Sequence, residues 1–209
     1  MANIIVADHH PITTSGLRNI LDEEYEIVAV VNDAKDLNKT LEVKFPDLLI
    51  LELELPNLKG LSTIKALRRD FPGIKILVYS MHAEEMYALS AIKAGAMGYI
   101  DKTADVKSVY FAIHQVKRGG IYLNEKLGKM LTTSESSNNI AYRYKKLSSR
   151  ETEVLTMLSD GKRNKDIADH LKINEKTVST YKTRLLKKLD VSSLADLIKQ
   201  ARILQMSDL

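Results

Sequence analysis

Cations and small hydroxyl side chains crowd one stretch near the end of the 209-residue chain. Positions 172–188 hold six lysines and arginines against one acid, Glu175. Val178, Leu185 and Leu189 recur at spacings of seven and four, which predicts a helix with one apolar stripe. Its opposite face carries Lys176, Ser179, Thr180, Lys182, Thr183, Arg184 and Lys187. Cations suit DNA phosphates, and small hydroxyls allow close approach to base edges, so the face predicts nucleic-acid binding.

The charges of this face, taken alone, are also compatible with an ordinary solvated surface. The surrounding pattern favours DNA binding. A short helix over 165–171 and a tight turn precede a helix that Asn174 can cap, which indicates a helix-turn-helix. A helix capped by Ser148 or Ser149 comes before this pair, and a fourth runs from about 192 to 204. We therefore expect an all-α, four-helix DNA-binding domain over 147–209.

The front of the chain alternates short β-branched runs with stretches of helical period. The predicted strands are 3–7, 27–31, 48–51, 76–79 and 98–100, and the predicted helices are about 12–22, 34–44, 60–70, 84–94 and 105–117. Five strand–helix units predict an α/β doubly wound, flavodoxin-like domain with a five-stranded parallel sheet over 1–124. Residues 125–146, rich in Ser, Thr and Asn, are predicted to be a linker.

Composition excludes several classes of protein. The chain lacks cysteine, which rules out disulfides and cysteine metal sites. It has no apolar run near 18 residues and no signal-peptide pattern, so we expect no membrane span and a cytoplasmic location. No GxSxG motif or other activated nucleophile is present, so we expect neither an enzyme nor a cofactor. Net charge is −2 over 1–124 and +3 over 147–209, which suggests a control module joined to a polyanion binder.

The back of the chain resembles a known family. LSSRETEVLTMLSDGKRNKDIADHLKINEKTVSTYKTRLLKKL is similar to the LuxR-type helix-turn-helix of NarL/FixJ response regulators, and KTVSTYKTRLLKKL to their BvgA/EvgA branch. The resemblance implies that Glu151 is a buried acid, Asn164 starts the scaffold helix and Thr177 opens the recognition helix. It places Ser179, Thr180 and Thr183 opposite bases. It also implies pairing of two domains through Val191, Leu194, Leu197 and Ile198, a stripe equally compatible with core.

The front of the chain resembles the receiver domain of the same regulators, with departures at the reactive pocket. The family has two acids after the first strand, where this chain has Asp8 and His9 in ADHHP. Its phosphorylated aspartate corresponds to Glu52 in LLILELELPNLKG. The resemblance also places three further residues in the pocket. These are Ser80 at the end of the fourth strand, and Tyr99 and Lys102, the aromatic residue and the lysine of GYIDK.

These departures predict a disabled chemical switch. His9 is a poor ligand for Mg²⁺, which prefers oxygen. Glu52 carries its carboxylate roughly 1.5 Å further out than aspartate would, and such misplacement strongly slows phosphoryl transfer. We expect negligible phosphorylation, with Glu52 reaching Lys102 and Ser80 as a permanent, singly charged stand-in for phosphate. A passive scaffold is the open alternative. Asp8, His9, His10 and Glu52 also suggest a transition-metal site, but His10 is usual in the family, so no metal is predicted.

The sequence therefore predicts a transcriptional regulator that binds double-stranded promoter DNA without phosphorylation. Homodimers are expected because helix-turn-helix proteins usually read two half-sites. RNA polymerase is a further candidate partner, and the altered acceptor argues against a cognate histidine kinase. One alternative is a conventional phospho-switch at Glu54 or Asp101. Another is gating by a small ligand or protein near Tyr79, Met81, His82 and Met86. Helices 12–22 and 105–117 are candidates for receiver pairing, through Leu17, Ile20, Leu21, Val109 and Ile113, all of which are equally compatible with core.

Overall fold

The computed structural model describes residues 1–124, 143–144 and 146–204, and the side chains of 202–204 are outside that description. Most of the predicted linker, 125–142 and 145, lies outside the described residues. Within the described part of the chain, no helix is long and apolar enough to cross a membrane.

The front domain is a parallel five-stranded sheet covered by helices on both faces, which confirms the predicted flavodoxin-like fold. Its strands are β1 (Ala2–Ala7), β2 (Tyr25–Val31), β3 (Leu48–Leu51), β4 (Lys75–Ser80) and β5 (Gly98–Asp101). Its helices are α1 (Pro11–Ile20), α2 (Leu37–Lys44), α3 (Leu61–Asp70), α4 (Glu84–Ala94) and α5 (Val106–Lys117). The strand order is β2-β1-β3-β4-β5.

Two predicted helices have different bounds in the structure. The first was expected over 12–22 but ends at Ile20, because Leu21 adopts an extended conformation. The second was expected from 34, but a 3-10 turn at Ala34–Asp36 comes before α2. The side chain of Asp33 accepts a hydrogen bond from the backbone N–H of Lys35 and caps the start of this turn.

The strand register places the pocket residues at one edge of the sheet. All four residues of β3 are buried, as expected for a strand covered on both faces. Ala7 of β1 pairs with Leu51 of β3, and Leu51 pairs with Val78 of β4. The residues that follow these strands therefore emerge together at the carboxyl edge, where open α/β sheets bind ligands.

The back domain consists of α6 (Ser149–Ser159), α7 (Asn164–Leu171), α8 (Glu175–Leu189) and α9 (Leu194–Leu204), which confirms the predicted four helices. Ser148 and Glu151 form a capping box at the start of α6. Asn174 caps α8 by accepting a hydrogen bond from the N–H of Thr177 at 2.7 Å. The predicted apolar stripe of α8 is buried in the domain core and comprises Val178, Leu185 and Leu189.

Candidate functional site

A buried lysine joins two carboxylates at the carboxyl edge of the receiver sheet. The Nζ atom of Lys102 lies 2.6 Å from Oδ2 of Asp8 and 2.8 Å from Oε2 of Glu52. The hydroxyl of Ser80 donates a 2.5 Å hydrogen bond to Oε1 of Glu52. Asp8, Glu52 and Ser80 are almost completely buried. The structure thus brings four of the six predicted pocket residues into one network.

Two carboxylate oxygens of this network accept hydrogen bonds from the protein, and the other two, Oδ2 of Asp8 and Oε2 of Glu52, are buried with the Lys102 ammonium as their ion-pair partner. Oδ1 of Asp8 accepts from the backbone N–H of His10 at 2.8 Å and lies 2.9 Å from its Nδ1. Oε1 of Glu52 also accepts from the backbone N–H of Glu54 at 3.2 Å. Mg²⁺ requires several oxygen ligands in near-octahedral geometry and would have to take them from a lysine. The residues present do not fit the magnesium ion that receiver domains use.

His9 belongs to a cluster with metal-ligand geometry. Asp8, His9 and His10 each offer one ligand atom, and these atoms lie within 4.8 Å of one another. Nδ1 of His9 is buried and has no hydrogen-bond partner among the described residues. However, Asp8 is shared between His10 and Lys102, and Nζ of Lys102 lies 3.2 Å from Nδ1 of His10. The ammonium group of Lys102 therefore already contacts two of the three candidate ligand residues.

Tyr99 adjoins the network at Ser80. Its ring is completely buried, and its hydroxyl donates a 2.9 Å hydrogen bond to the carbonyl of His82. Burial raises the pKa of Tyr99 well above its usual value, so the phenol stays neutral and acts as a donor. The backbone N–H of His82 is 3.4 Å from Oγ of Ser80. The backbone of His82, two residues after the end of β4, therefore bonds to both Tyr99 and Ser80.

Glu54 points away from the pocket toward the back domain. Its Oε1 lies 2.8 Å from Nζ of Lys199 and 3.6 Å from Nε2 of His82. Partial burial acts to raise the pKa of Glu54, but the hydrogen bond and charge of Lys199 outweigh it and lower that pKa. Burial lowers the pKa of His82, which favours its neutral form. Sequence reasoning missed the Lys199 contact, because no local pattern indicates a pair 145 positions apart.

Helix α8 presents its predicted polar face to solvent. Most of the predicted DNA contacts are exposed, namely Lys176, Ser179, Thr180, Thr183, Arg184 and Lys187, whereas Thr177 and Lys182 are half-buried. Ser179, Thr180 and Thr183 donate their hydroxyl protons to backbone carbonyls four residues earlier. Their oxygens therefore keep lone pairs for accepting hydrogen bonds from DNA. The hydroxyl of Thr177 instead bonds to the capping Asn174 at 3.0 Å.

Asn164 connects the two helices of the helix-turn-helix on their exposed side. Its Nδ2 donates to Oγ of Ser179 at 3.3 Å, and its Oδ1 accepts from Nζ of Lys182 at 3.3 Å. The sequence assigned this residue only to the start of a helix. The cation of Lys188 is similarly engaged, because its Nζ lies 2.7 Å from Oε2 of the buried Glu151. Both Lys187 and Lys188 are exposed, but Lys188 is held by this ion pair to Glu151 within the domain.

Burial corrects part of each candidate pairing surface. Leu197 of α9 is completely buried in the core, so it cannot contact a second copy while the domain is folded. Val191, Leu194 and Ile198 are only partly buried. On the receiver, Leu17, Val109 and Ile113 are core residues that pack against the sheet, and Ile20 and Leu21 pack against the same core. Amphipathic helices direct their apolar face inward, which explains both corrections.

Comparison with known proteins gives the same two-part organisation. Residues 4–114 match the family model described as response regulator receiver domain, and residues 145–201 match bacterial regulatory proteins, luxR family. The oxygen regulatory protein NreC of Staphylococcus haemolyticus is 33% identical over 207 residues, covering 95% of each chain. The DNA-binding transcriptional activator EvgA of Escherichia coli K12 is 32% identical over 197 residues, covering 93% of this chain and 95% of EvgA.

The architecture is also similar to that of a solved regulator. RcsB from Salmonella enterica serovar Typhimurium, bound to promoter P1flhDC in the presence of phosphomimetic BeF3−, superposes with a TM-score of 0.72 and 26% identity. The match covers 97% of this chain and 98% of RcsB. Another solved structure contains two RcsB dimers bound to two parallel DNAs. With its receiver and luxR-family domains, the chain belongs to the NarL/FixJ-type response regulators, which are DNA-binding transcription regulators.

Proposed function

We propose that this regulator binds promoter DNA as a homodimer and does so without phosphorylation of its receiver. We assign the receiver to residues 1–124 and the DNA-binding domain to 147–209, joined by a linker over 125–146. A protein that regulates promoters would act in the cytoplasm. RNA polymerase would be a further partner at those promoters, and no histidine kinase would be required.

The observation that carries this proposal is the contact of Glu52 with both Lys102 and Ser80. A phosphorylated aspartate would bring up to two negative charges to this position, and Glu52 brings one. That charge is already paired with the lysine and bonded to the hydroxyl, while Oδ2 of Asp8 contacts the same Nζ. The geometry supports a receiver whose ionic network is complete in the unmodified chain. We infer that Glu52 acts as a stand-in for phosphate and that the receiver is not a passive scaffold.

Phosphodonor labelling tests the loss of the chemical switch. The wild-type chain, incubated with acetyl phosphate and Mg²⁺, should remain unlabelled by intact-protein mass spectrometry. A His9→Asp/Glu52→Asp variant restores both family carboxylates and serves as the positive control. Stoichiometric addition of one phosphoryl group to the wild-type chain would overturn phosphorylation independence, and labelling mapped to Glu54 or Asp101 would support the conventional alternative.

Comparison of variants at position 52 tests the stand-in role. Glu52→Gln keeps the size and the acceptor oxygen but removes the charge that pairs with Lys102. The stand-in role predicts weaker dimerisation or weaker promoter binding by Glu52→Gln, measured on a duplex that the wild-type chain selects from a random DNA pool. If Glu52→Gln and wild type bind equally, the receiver is a passive scaffold.

Gating by a ligand has one observation in its favour. A cavity of about 400 Å³ lies next to the ionic network, between α1 and the loop before α5. It is lined by residues that include His10, Ile12, Tyr79, Met81 and Lys102. Occupancy of this cavity would place a small molecule against the Lys102 side chain. A ligand-dependent rise in the melting temperature of the full chain, abolished by Met81→Glu, would support this second candidate.

A further inference from the structure

The cavity beside Lys102 has a polar end and an apolar body. Its volume of about 400 Å³ is in the usual range for small-molecule sites. The polar end is formed by His10, Tyr79 and Lys102, which are neighbours at the carboxyl edge of the sheet. The apolar lining comes from α1 and α5 and includes Leu17 and Val109. This arrangement fits a molecule that is apolar along most of its length and polar at one end.

The ammonium of Lys102 has a proton to spare at the polar end. It carries three protons and pairs with two carboxylates, those of Asp8 and Glu52. Its third polar neighbour is Nδ1 of His10, at 3.2 Å, which also lies 2.9 Å from Oδ1 of Asp8. A contact this short with an anionic oxygen requires a proton on Nδ1, and a protonated ring nitrogen cannot accept from the lysine. One ammonium proton is therefore left for an acceptor in the cavity.

The hydroxyl of Tyr79 is a second donor on the same side of the cavity. The Tyr79 ring lines the cavity, and Nζ of Lys102 lies 5.8 Å from its centroid. Burial raises the pKa of Tyr79, which keeps the phenol neutral and able to donate. A carbonyl oxygen has two lone pairs, so it can accept from the phenol and from the ammonium together.

The charge of the ionic network disfavours an anionic ligand. The two carboxylates of Asp8 and Glu52 face the single ammonium of Lys102, so one negative charge is left over. A carboxylate or a phosphate would bring a further negative charge to a buried place, which costs more than bringing a neutral acceptor. The acceptor that suits this cavity is therefore uncharged.

The mouth of the cavity is apolar although it faces solvent. Ile12 is 85% exposed, Val106 60% and Met81 55%, and all three line the cavity. Clusters of exposed apolar side chains often mark binding sites. Gly16 of α1 also lines the cavity, and a Cβ there would meet no described atom outside the local helix backbone within 4 Å. Glycine weakens a helix interior relative to alanine, and here its effect is to leave room along the cavity.

We propose that this cavity binds an uncharged small molecule whose carbonyl oxygen accepts hydrogen bonds from Lys102 and Tyr79 and whose apolar body lies along α1 and α5. The proposal names the class of ligand for the ligand-gating candidate, and its effect on DNA binding rests on that proposed function. A small molecule fits better than a protein surface, because the side chain of Lys102 is only 7% exposed and a flat surface would not reach it.

Titration of the full chain with matched probes tests the ligand class. Acetophenone has an apolar ring and a carbonyl, benzoate carries an anion instead, and ethylbenzene has no acceptor. In a chain with ¹³C-labelled methionine and isoleucine methyl groups, acetophenone should shift the Met81 and Ile12 signals saturably, with a Kd on the order of 1 mM for a molecule of this size. Benzoate and ethylbenzene should bind about tenfold more weakly. Equal affinities of the three probes would overturn the carbonyl assignment, and the absence of a saturable shift with acetophenone would overturn the site.

Two exposed or half-buried positions provide variants that should fold. Tyr79→Phe removes one donor and keeps the ring, so acetophenone should bind about fivefold more weakly while the affinity for ethylbenzene is unchanged. Met81→Glu places a charge at the mouth and should weaken acetophenone binding several-fold, with Ile12 as the reporter. Val43→Glu, at an exposed apolar position of α2, is the matched control and should bind as wild type does. If Tyr79→Phe keeps the wild-type affinity for acetophenone, the donor assignment is overturned.

The possible failures are distinguishable. The methyl titration needs no DNA, so it decides the ligand site whether or not the chain selects a promoter duplex. If acetophenone binds but leaves the affinity for a selected duplex unchanged, the gating candidate is overturned and the site stands. If the Ile12 signal moves with protein concentration and not with acetophenone, the mouth is an interface between copies and the proposal is overturned.

Discussion

The two polar regions of this regulator use charge in opposite ways. In the receiver, Lys102 is buried and its ammonium contacts two carboxylates of the same domain. On α8, Lys176, Arg184 and Lys187 are exposed. A charge that is paired inside the protein stabilises one conformation, whereas an unpaired surface cation is available to a polyanion. Burial and pairing, more than residue type, therefore distinguish Lys102 from the lysines that we propose to contact DNA.

Removing the buried lysine should have the largest effect. Lys102→Ala leaves Asp8 and Glu52 as neighbouring buried carboxylates without a cation, which should lower the free energy of unfolding by about 3–5 kcal/mol. Urea unfolding of the full chain measures this change. Lys107→Ala, at an exposed position of α5, is the matched control and should cost less than about 0.5 kcal/mol. If Lys102→Ala lowers the free energy of unfolding no more than Lys107→Ala does, burial and pairing do not distinguish Lys102 from an exposed lysine.

Removing an exposed cation should affect DNA binding and leave stability almost unchanged. Lys187→Ala should weaken binding to all duplexes about tenfold at low salt and reduce the salt-dependence slope by about 0.9, the value for one phosphate contact. Binding isotherms on selected and scrambled duplexes at several salt concentrations provide the measurement. Lys188→Ala is a useful comparison, because Lys188 is already paired with Glu151. A loss confined to one DNA sequence would contradict the phosphate assignment of Lys187.

Substitution of Asn164, on the same surface, should reduce DNA affinity by a smaller factor than Lys187→Ala does. Asn164→Ala removes two long hydrogen bonds, to Ser179 and from Lys182, and should weaken binding to the selected duplex about threefold. Asn164→Asp keeps the acceptor for Lys182 but adds a negative charge to the proposed DNA-facing surface, so it should bind more weakly than the alanine variant. Competition binding against the wild-type chain resolves a difference of this size. If the wild-type chain and both variants bind with equal affinity, Asn164 does not help to position α8.

His82 gives the smallest expected effect, visible as a pH dependence. Burial lowers the pKa of His82 in the folded chain below its ordinary value of about 6.5. The folded state therefore favours the neutral imidazole, and the resulting stability is present above pH 6.5 and is lost as the pH falls below it. His82→Gln should reduce the loss of unfolding free energy between pH 7.5 and 5.5 by less than about 1 kcal/mol. Parallel urea titrations at the two pH values measure it.

The secondary structure and the fold of both domains could be predicted from the sequence. The contacts that could not be predicted share a physical reason. Apolar periodicity was sufficient for the parallel sheet and the four back helices, because local spacing determines which face is buried. The contacts of Glu54 with Lys199 and of Asn164 with Ser179 join residues that are distant along the chain. Leu197 was assigned to a pairing surface because a helical apolar stripe looks the same whether it meets its own core or another chain.

The Lys102 contacts have a consequence for how promoter occupancy could be adjusted. A phosphoryl group turns over within the lifetime of a protein, but a glutamate side chain lasts as long as the polypeptide. If Glu52 supplies the charge that contacts Lys102, signalling cannot reset it, and the cellular dose of the regulator becomes the adjustable quantity. If two copies bind each operator, as proposed, occupancy by a mostly monomeric pool would rise with the square of that dose. Synthesis and proteolysis would then set the response threshold.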